Sequence, residues 1–191
     1  MRKMNGTRWK SNPWFHNFGA QEIQGASLDM LTDYDLLQMA YAEAINYSTD
    51  PSTQNGAVIK CDSGESAFGA NHFPKGVKES PERWERPAKY AWVEHAERNA
   101  VFYAARHGIK TYGATMYCPW FACADCARAI IQAGIKEVVG HETSLHAGGS
   151  QSWKDSIAIA YKMFEEAGVK FRHIPGTFNH KIRFNGELRE V

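Results

Sequence analysis

No stretch of this 191-residue sequence approaches the ~20 consecutive apolar residues that a membrane-spanning helix requires, so no membrane span is expected. The N-terminus, Met1-Arg2-Lys3-Met4-Asn5-Gly6, has no apolar segment behind it to form a secretory signal, and a cytoplasmic location is expected. Cysteine is scarce: four residues are too few for a disulfide scaffold in a chain of this size. An excess of charge of either sign is also missing. With 22 basic and 21 acidic side chains and a net charge of +1, a broad cationic footprint for duplex nucleic acid is excluded. What is present is a 43% apolar share with 13% aromatics, enough for one well-packed domain.

Met1 to Met30 shows no steady period and mixes Trp9, Trp14, Phe15 and Phe18 with Gly, Asn and Pro. It reads as an N-terminal extension (1–30) lying over the core or a neighbouring subunit, ahead of one domain at 31–191. Thr32 or Asp33 can cap a helix with apolar positions Leu36, Leu37, Ala40, Tyr41, Ala44 and Ile45, stopped by Asp50-Pro51. Residues 56–60 and 66–70 read as a hairpin around Asp62-Ser63-Gly64, and the long polar stretch from Asn71 to Ala91 as a functional loop. Helices are predicted at 93–107, 124–133 and 153–167, and strands at 114–117, 135–139 and 169–174. This alternation predicts an α/β domain with three layers, α/β/α, around a central mixed five-stranded sheet that opens with a hairpin.

Three of the four cysteines, Cys118, Cys123 and Cys126, fall within nine positions, and the last two form a C-x-x-C. In a reducing compartment that pair is either a metal site or a redox dithiol. His95-Ala96-Glu97 opens one predicted helix and Cys123-Ala124-Asp125-Cys126 the next, with a strand between them. Both helix starts can therefore open onto one end of the sheet. Zinc favours imidazole and thiolate ligands, and helix N-termini favour thiolates. His95, Cys123 and Cys126 are thus candidate ligands, and three ligands with an open position are what a catalytic zinc needs. Hydrolysis also needs a proton relay, and Glu97, two residues after His95, is placed to provide one without binding metal. The H-x-E and C-x-x-C segments match the zinc-deaminase pattern together, whereas either alone is ordinary: a solvated helix start, or a redox pair. Cys61 reads as structural and Cys118 as core or a neighbour of the metal. His141, His146, His173 and His180 read as surface or loop residues.

From Leu31 to Pro175 the chain resembles the cytidine and deoxycytidylate deaminase superfamily, most closely the deoxycytidylate (dCMP) deaminases. The resemblance is carried by residues 50–59 (DPSTQNGAVI), 89–100 (KYAWVEHAERNA), 127–139 (ARAIIQAGIKEVV) and 167–171 (AGVKF). It implies a cytidine deaminase-like fold and a zinc-dependent hydrolase that removes the cytosine 4-amino group of dCMP, a cyclic amidine C–N bond, giving dUMP and ammonia. Carried over, His95, Cys123 and Cys126 would bind Zn2+, and Glu97 would move protons from water to the ring nitrogen and the departing amine. Asn71, Ala96 and Phe121 are the implied substrate contacts, Asn71 with a turn-shaping alternative, and Trp120 is either a pocket wall or a core residue. His72, Lys89, Tyr90 and Ser48 are candidates for phosphate or effector contacts. The family also implies a small-molecule nucleotide substrate, dCTP and dTTP as effectors, and homo-oligomers, often hexamers.

The chain departs from the family at three points: Ala122 replaces a proline, Gly69-Ala70-Asn71-His72 replaces Gly-Tyr-Asn-Gly of the effector site, and no Tyr stands near Leu145. Two rival readings follow. One is a deaminase of a modified cytosine nucleotide, a nucleoside or an RNA base; the other is a non-catalytic zinc or nucleotide-binding protein. A polymer substrate would need a basic aromatic groove, for which only Arg2, Lys3, Arg8, Lys10, Trp9 and Trp14 are available. A structural zinc would recruit Cys118 or Cys61 as a fourth ligand.

Overall fold

A computed structural model describes residues 30–146 and 150–191, without the side chains of Leu145 and His146. The expected N-terminal extension, apart from Met30, lies outside the described residues. Thr32 caps helix α1 (Asp33–Tyr47) through a closed capping box: its hydroxyl accepts from Asp35 N–H at 3.2 Å, and the Asp35 carboxylate accepts from Thr32 N–H at 2.8 Å. Leu36, Leu37, Ala40, Tyr41 and Ala44 are buried along one stripe, as their spacing predicts, whereas Ile45 falls outside the stripe and is exposed.

Strands β1 (Gly56–Lys60) and β2 (Ser66–Ala70) form the predicted antiparallel hairpin. After it come the short helices α2 (Pro81–Trp84) and α3 (Lys89–Trp92), α4 (Ala96–His107), β3 (Thr115–Tyr117) and α5 (Ala124–Gln132). Next are β4 (Glu137–His141), a 3-10 turn at Glu142–His146, α6 (Gln151–Ala167) and β5 (Lys170–Ile174). The sheet order is β2-β1-β3-β4-β5, antiparallel across β2-β1-β3 and parallel across β3-β4-β5. The predicted mixed five-stranded sheet is therefore present.

Both faces of the sheet are covered, so the central strands are apolar at consecutive positions and divide them between two cores. Ala57, Ile59, Met116 and Val138 face α4, α5 and α6, while Val58, Tyr117 and Val139 face α1. Close approach on each side depends on glycine. A Cβ on Gly69 would lie 2.4 Å from Ala96 O and Ala100 N of α4, and one on Gly56 would lie 2.1 Å from Ala40 O of α1.

Two features differ from the sequence expectation. The helix expected from Val93 begins at Ala96, because Val93 and His95 are extended and Glu94 pairs with His72 in an isolated bridge. Within the expected loop before it, two short helical segments form, α2 and α3, and the rest is irregular. Beyond β5, where the sequence reading assigned no element, the chain forms a further hairpin, β6 (Lys181–Phe184) and β7 (Glu187–Glu190). Its two-residue turn, Asn185-Gly186, has φ of 54° and 86°, the left-handed pair of a type I′ turn. Ile182 and Phe184 point inward and join Phe178 and Val191 in the α1-side core. Among the described residues no helix is long and apolar enough to cross a membrane.

Candidate metal centre

His95 and Cys123 occupy equivalent places on successive helices. Each is an extended N-cap residue, of α4 and α5 respectively, so each side chain stands at a helix end where free N–H groups and the dipole favour a thiolate. Cys126 lies three residues further along the same face of α5. The Cys123 and Cys126 sulfurs are 3.5 Å apart, and His95 Nδ1 lies 3.6 and 3.4 Å from them. Tetrahedral zinc, with Zn–S near 2.3 Å and Zn–N near 2.0–2.1 Å, separates two thiolates by about 3.8 Å and thiolate from imidazole by about 3.6 Å. The donor triangle therefore has the size that zinc requires. Among the described residues it is the only group of three His, Cys, Asp or Glu side chains close enough to hold a metal, and Cys61 and Cys118 stay outside it.

The electrostatics suit the same ion. The hydrogen bond with Cys126, against the cost of burial and with help from His95, holds the Cys123 thiol down at about 3. That favours the thiolate at Cys123, the form that binds metal, while burial and then the hydrogen bond with Cys123 push the Cys126 thiol well up. Arg98 ion-pairs with Glu94 and brings Nη1 to 3.8 Å from Cys126 Sγ, adding positive charge beside the sulfurs. Glu97, in the first turn of α4, is 2% exposed; burial keeps its carboxyl above the usual carboxylate range, against the pull of His95. A carboxyl raised in this way is suited to taking up and releasing protons.

Asn55 had no sequence signal beyond its place in the segment before β1, yet its amide is the side chain that meets Glu97. Its Nδ2 is 3.5 Å from Glu97 Oε2 and 3.3 Å from Cys118 Sγ, at a buried position. Cys118 is thus a neighbour of the site, and burial, then the Glu97 charge, pushes its thiol well up.

Asn71 is close by, but all four of its side-chain hydrogen-bonding positions are filled by the chain. Its amide donates to Asp50 Oδ2 (3.2 Å) and Thr53 O (2.5 Å), and its Oδ1 accepts from Ser48 Oγ and Asn55 N–H, each at 2.7 Å. Ser48 is occupied by that bond, and Lys89 is buried against Asp50 Oδ2 at 2.6 Å and Ser52 Oγ at 2.8 Å. His72 Nδ1 lies 2.6 Å from the Phe73 carbonyl, and Tyr90 is exposed. Ala96 is fully buried at the start of α4. The Phe121 ring stacks on Tyr161 at 3.9 Å and meets Phe164 and Phe171, inside the aromatic core below the metal loop. Trp120 packs on Phe184 at 4.4 Å and donates Nε1–H to Gln54 O at 3.0 Å.

The expectation for His141 is corrected. It is 1% exposed, lies 2.6 Å from Tyr41 Oη through Nδ1 and 3.1 Å from Gly176 O through Nε2, and belongs to the core. Its position at the end of a strand looked like a loop, but the segment after β5 folds over it. His173 and His180 are half-buried.

Comparison with known proteins agrees with this geometry. Residues 30–142 match the family described as the cytidine and deoxycytidylate deaminase zinc-binding region. The chain is 36% identical over 130 residues to an uncharacterized deaminase in the luxG 3′ region of Aliivibrio fischeri, spanning 68% of this chain and 85% of that one. It is 36% identical over 132 residues to the deoxycytidylate deaminase of Homo sapiens, spanning 65% and 70% of the two chains. Among solved structures, the apo dCMP deaminase of cyanophage S-TIM5 shares the fold with a TM-score of 0.54 and 21% identity, over 74% of this chain and 96% of that one.

Proposed function

Because this chain belongs to the cytidine and deoxycytidylate deaminase family, we propose that it hydrolyses the 4-amino group of dCMP, giving dUMP and ammonia. The triangle of His95, Cys123 and Cys126 beside buried Glu97 carries this reading: three donors of the right kind and size, with a proton-relaying carboxyl next to them. Relatives named deoxycytidylate deaminase, at 36% identity, support dCMP as the substrate.

His95, Cys123 and Cys126 would hold the zinc. When bound, zinc supplies the acidity that lets water give up a proton near neutral pH. Glu97 accepts protons from the attacking water and delivers one to the ring nitrogen and one to the amine, the two atoms that gain protons as the C–N bond breaks. Asn55 donates to Glu97 Oε2 and steadies its orientation. Asn71 acts behind Asn55, holding its backbone N–H, and Lys89 acts behind Asn71 through Asp50. The homo-oligomer and the dCTP and dTTP effectors implied by the family belong to the same proposal.

Ammonia release from dCMP, CMP, deoxycytidine, 5-substituted dCMP and cytosine-containing oligonucleotides, with and without dCTP and dTTP, tests the reading. Turnover of dCMP by a protein carrying zinc is expected. Strict preference for an oligonucleotide, or full activity without zinc, would overturn it.

A further inference from the structure

The β6–β7 hairpin lies beyond residues 30–142, the part of the chain matched to the family, yet it grips both loops that face the metal centre. The first loop, residues 48–55, ends in Asn55 against Glu97; the second, residues 118–123, runs from Cys118 to the ligand Cys123. Gln54, the residue before Asn55, is held from two sides. Its N–H donates to Arg183 O at 2.9 Å, its Oε1 accepts from Arg183 N–H at 3.1 Å, and its carbonyl accepts from Trp120 Nε1 at 3.0 Å. Asn185 N–H donates to Thr53 Oγ1 at 3.2 Å and Gly186 N–H to Ser52 O at 2.7 Å, so residues 52–54 are bonded along their length. Phe184 closes the arrangement by packing on Trp120 of the second loop at 4.4 Å. The hairpin itself is anchored in the core by Ile182, Phe178 and Val191.

We propose that this hairpin is a positioning element of the active site: it locks the two loops to each other through Gln54 and Trp120, and so fixes Asn55 against Glu97. The inference rests on the deaminase reading for its activity readout. Phe184 touches neither metal ligand nor Glu97, and it acts through Trp120 and Gln54. Displacing a catalytic group's support by an ångström is enough to cost about 10- to 100-fold in turnover.

The test is Phe184→Ala in the full chain, loaded with zinc and assayed with dCMP well below its thermal midpoint. The expected result is unchanged zinc content, kcat lowered about 10- to 100-fold, and faster amide hydrogen exchange at Gln54 and Asn55. Phe184→Tyr, which keeps the ring, restores kcat, and Leu188→Ala on the exposed face of the same hairpin leaves it unchanged. Gln54→Ala removes the acceptor for Arg183 N–H without touching the core; it lowers kcat in the same direction and serves if Phe184→Ala does not fold. A kcat within about twofold of the parent, or unaltered exchange at residues 54 and 55, overturns the proposal. If the parent itself does not act on dCMP, the deaminase reading fails, and the exchange measurement still decides whether the hairpin holds the loop.

Discussion

Lys89→Met removes the cation from a buried ion pair. Lys89 Nζ lies 2.6 Å from Asp50 Oδ2, with side chains 6% and 2% exposed. At an effective dielectric of about 20, unit charges at that separation attract by roughly 6 kcal/mol before the cost of burying them. Removing one partner of such a pair costs about 3–5 kcal/mol, because the remaining charge stays desolvated. Asp50 keeps the Ser52 N–H and hydroxyl, the Thr53 N–H and the Asn71 amide as donors. Those contacts place the loss near the lower end, about 3 kcal/mol. For a chain of this length that lowers the thermal midpoint by about 6–12 °C. Calorimetry on the zinc-loaded protein measures it, paired with dCMP kinetics below both midpoints. A phosphate-binding Lys89 would behave differently: the midpoint would hardly move, KM for dCMP would rise, and deoxycytidine turnover would be unaffected. A midpoint within about 2 °C of the parent would refute the ion-pair argument. Adding Asp50→Asn should recover part of the loss, since the unpaired charge is then gone.

Glu97→Gln is expected to keep its zinc, by mass spectrometry of the metal, while kcat for ammonia release falls about 10²- to 10⁴-fold; an unaffected variant would remove Glu97 from the mechanism. Gly69→Ala drives a methyl into the α4 backbone at Ala96 and Ala100, and should cost about 1–3 kcal/mol by urea unfolding with a parallel loss of turnover, because α4 carries Glu97. Glu43, buried on α1, has its carboxyl pushed up to about 8 by burial. Between about pH 4.5 and 8 the unfolded chain is ionised there while the fold keeps the proton, so stability falls as pH rises through that window. Glu43→Gln should therefore match the parent near pH 4 and exceed it by roughly a few kcal/mol at pH 8 and above. Parallel stability curves would show that Glu43 does not titrate this way.

The candidate metal triangle was legible because its chemistry narrows the residue types so sharply. Few side chains bind zinc, and the C-x-x-C spacing puts two of them on one helix face. The β1–β2 hairpin was legible from two short apolar runs around Asp62-Ser63-Gly64, while the division of Val58 and Ile59 between opposite cores came from the structure. Asn55 was not legible, since its role depends on Glu97, 42 positions away, and no local pattern encodes that meeting. Lys89 looked like a free cation for phosphate, but Asp50, 39 positions earlier, had already claimed it. The β6–β7 hairpin did carry a local signal, Asn185-Gly186 between alternating segments. Its strands are four residues each and rich in charge, so the apolar positions Ile182 and Phe184 stood out too little for the pair to be read as a hairpin.

Gln54 and Arg183 meet across 129 positions of chain. Contacts that distant form slowly, because a long loop must close before they return any stabilisation. Helix α1, the β1–β2 hairpin and α4 can each assemble from neighbouring residues. The segment that ends at Asn55 acquires its outer partner only after residues 183–186 have been synthesised. A nascent chain 150 residues long already contains His95, Glu97, Cys123 and Cys126, yet nothing grips residues 52–54 from the far side. All three donors of the candidate metal triangle are therefore synthesised before the hairpin that brackets residues 52–54, and with the positioning role proposed for that hairpin a chain of this length would carry the donors without the outer support for Asn55.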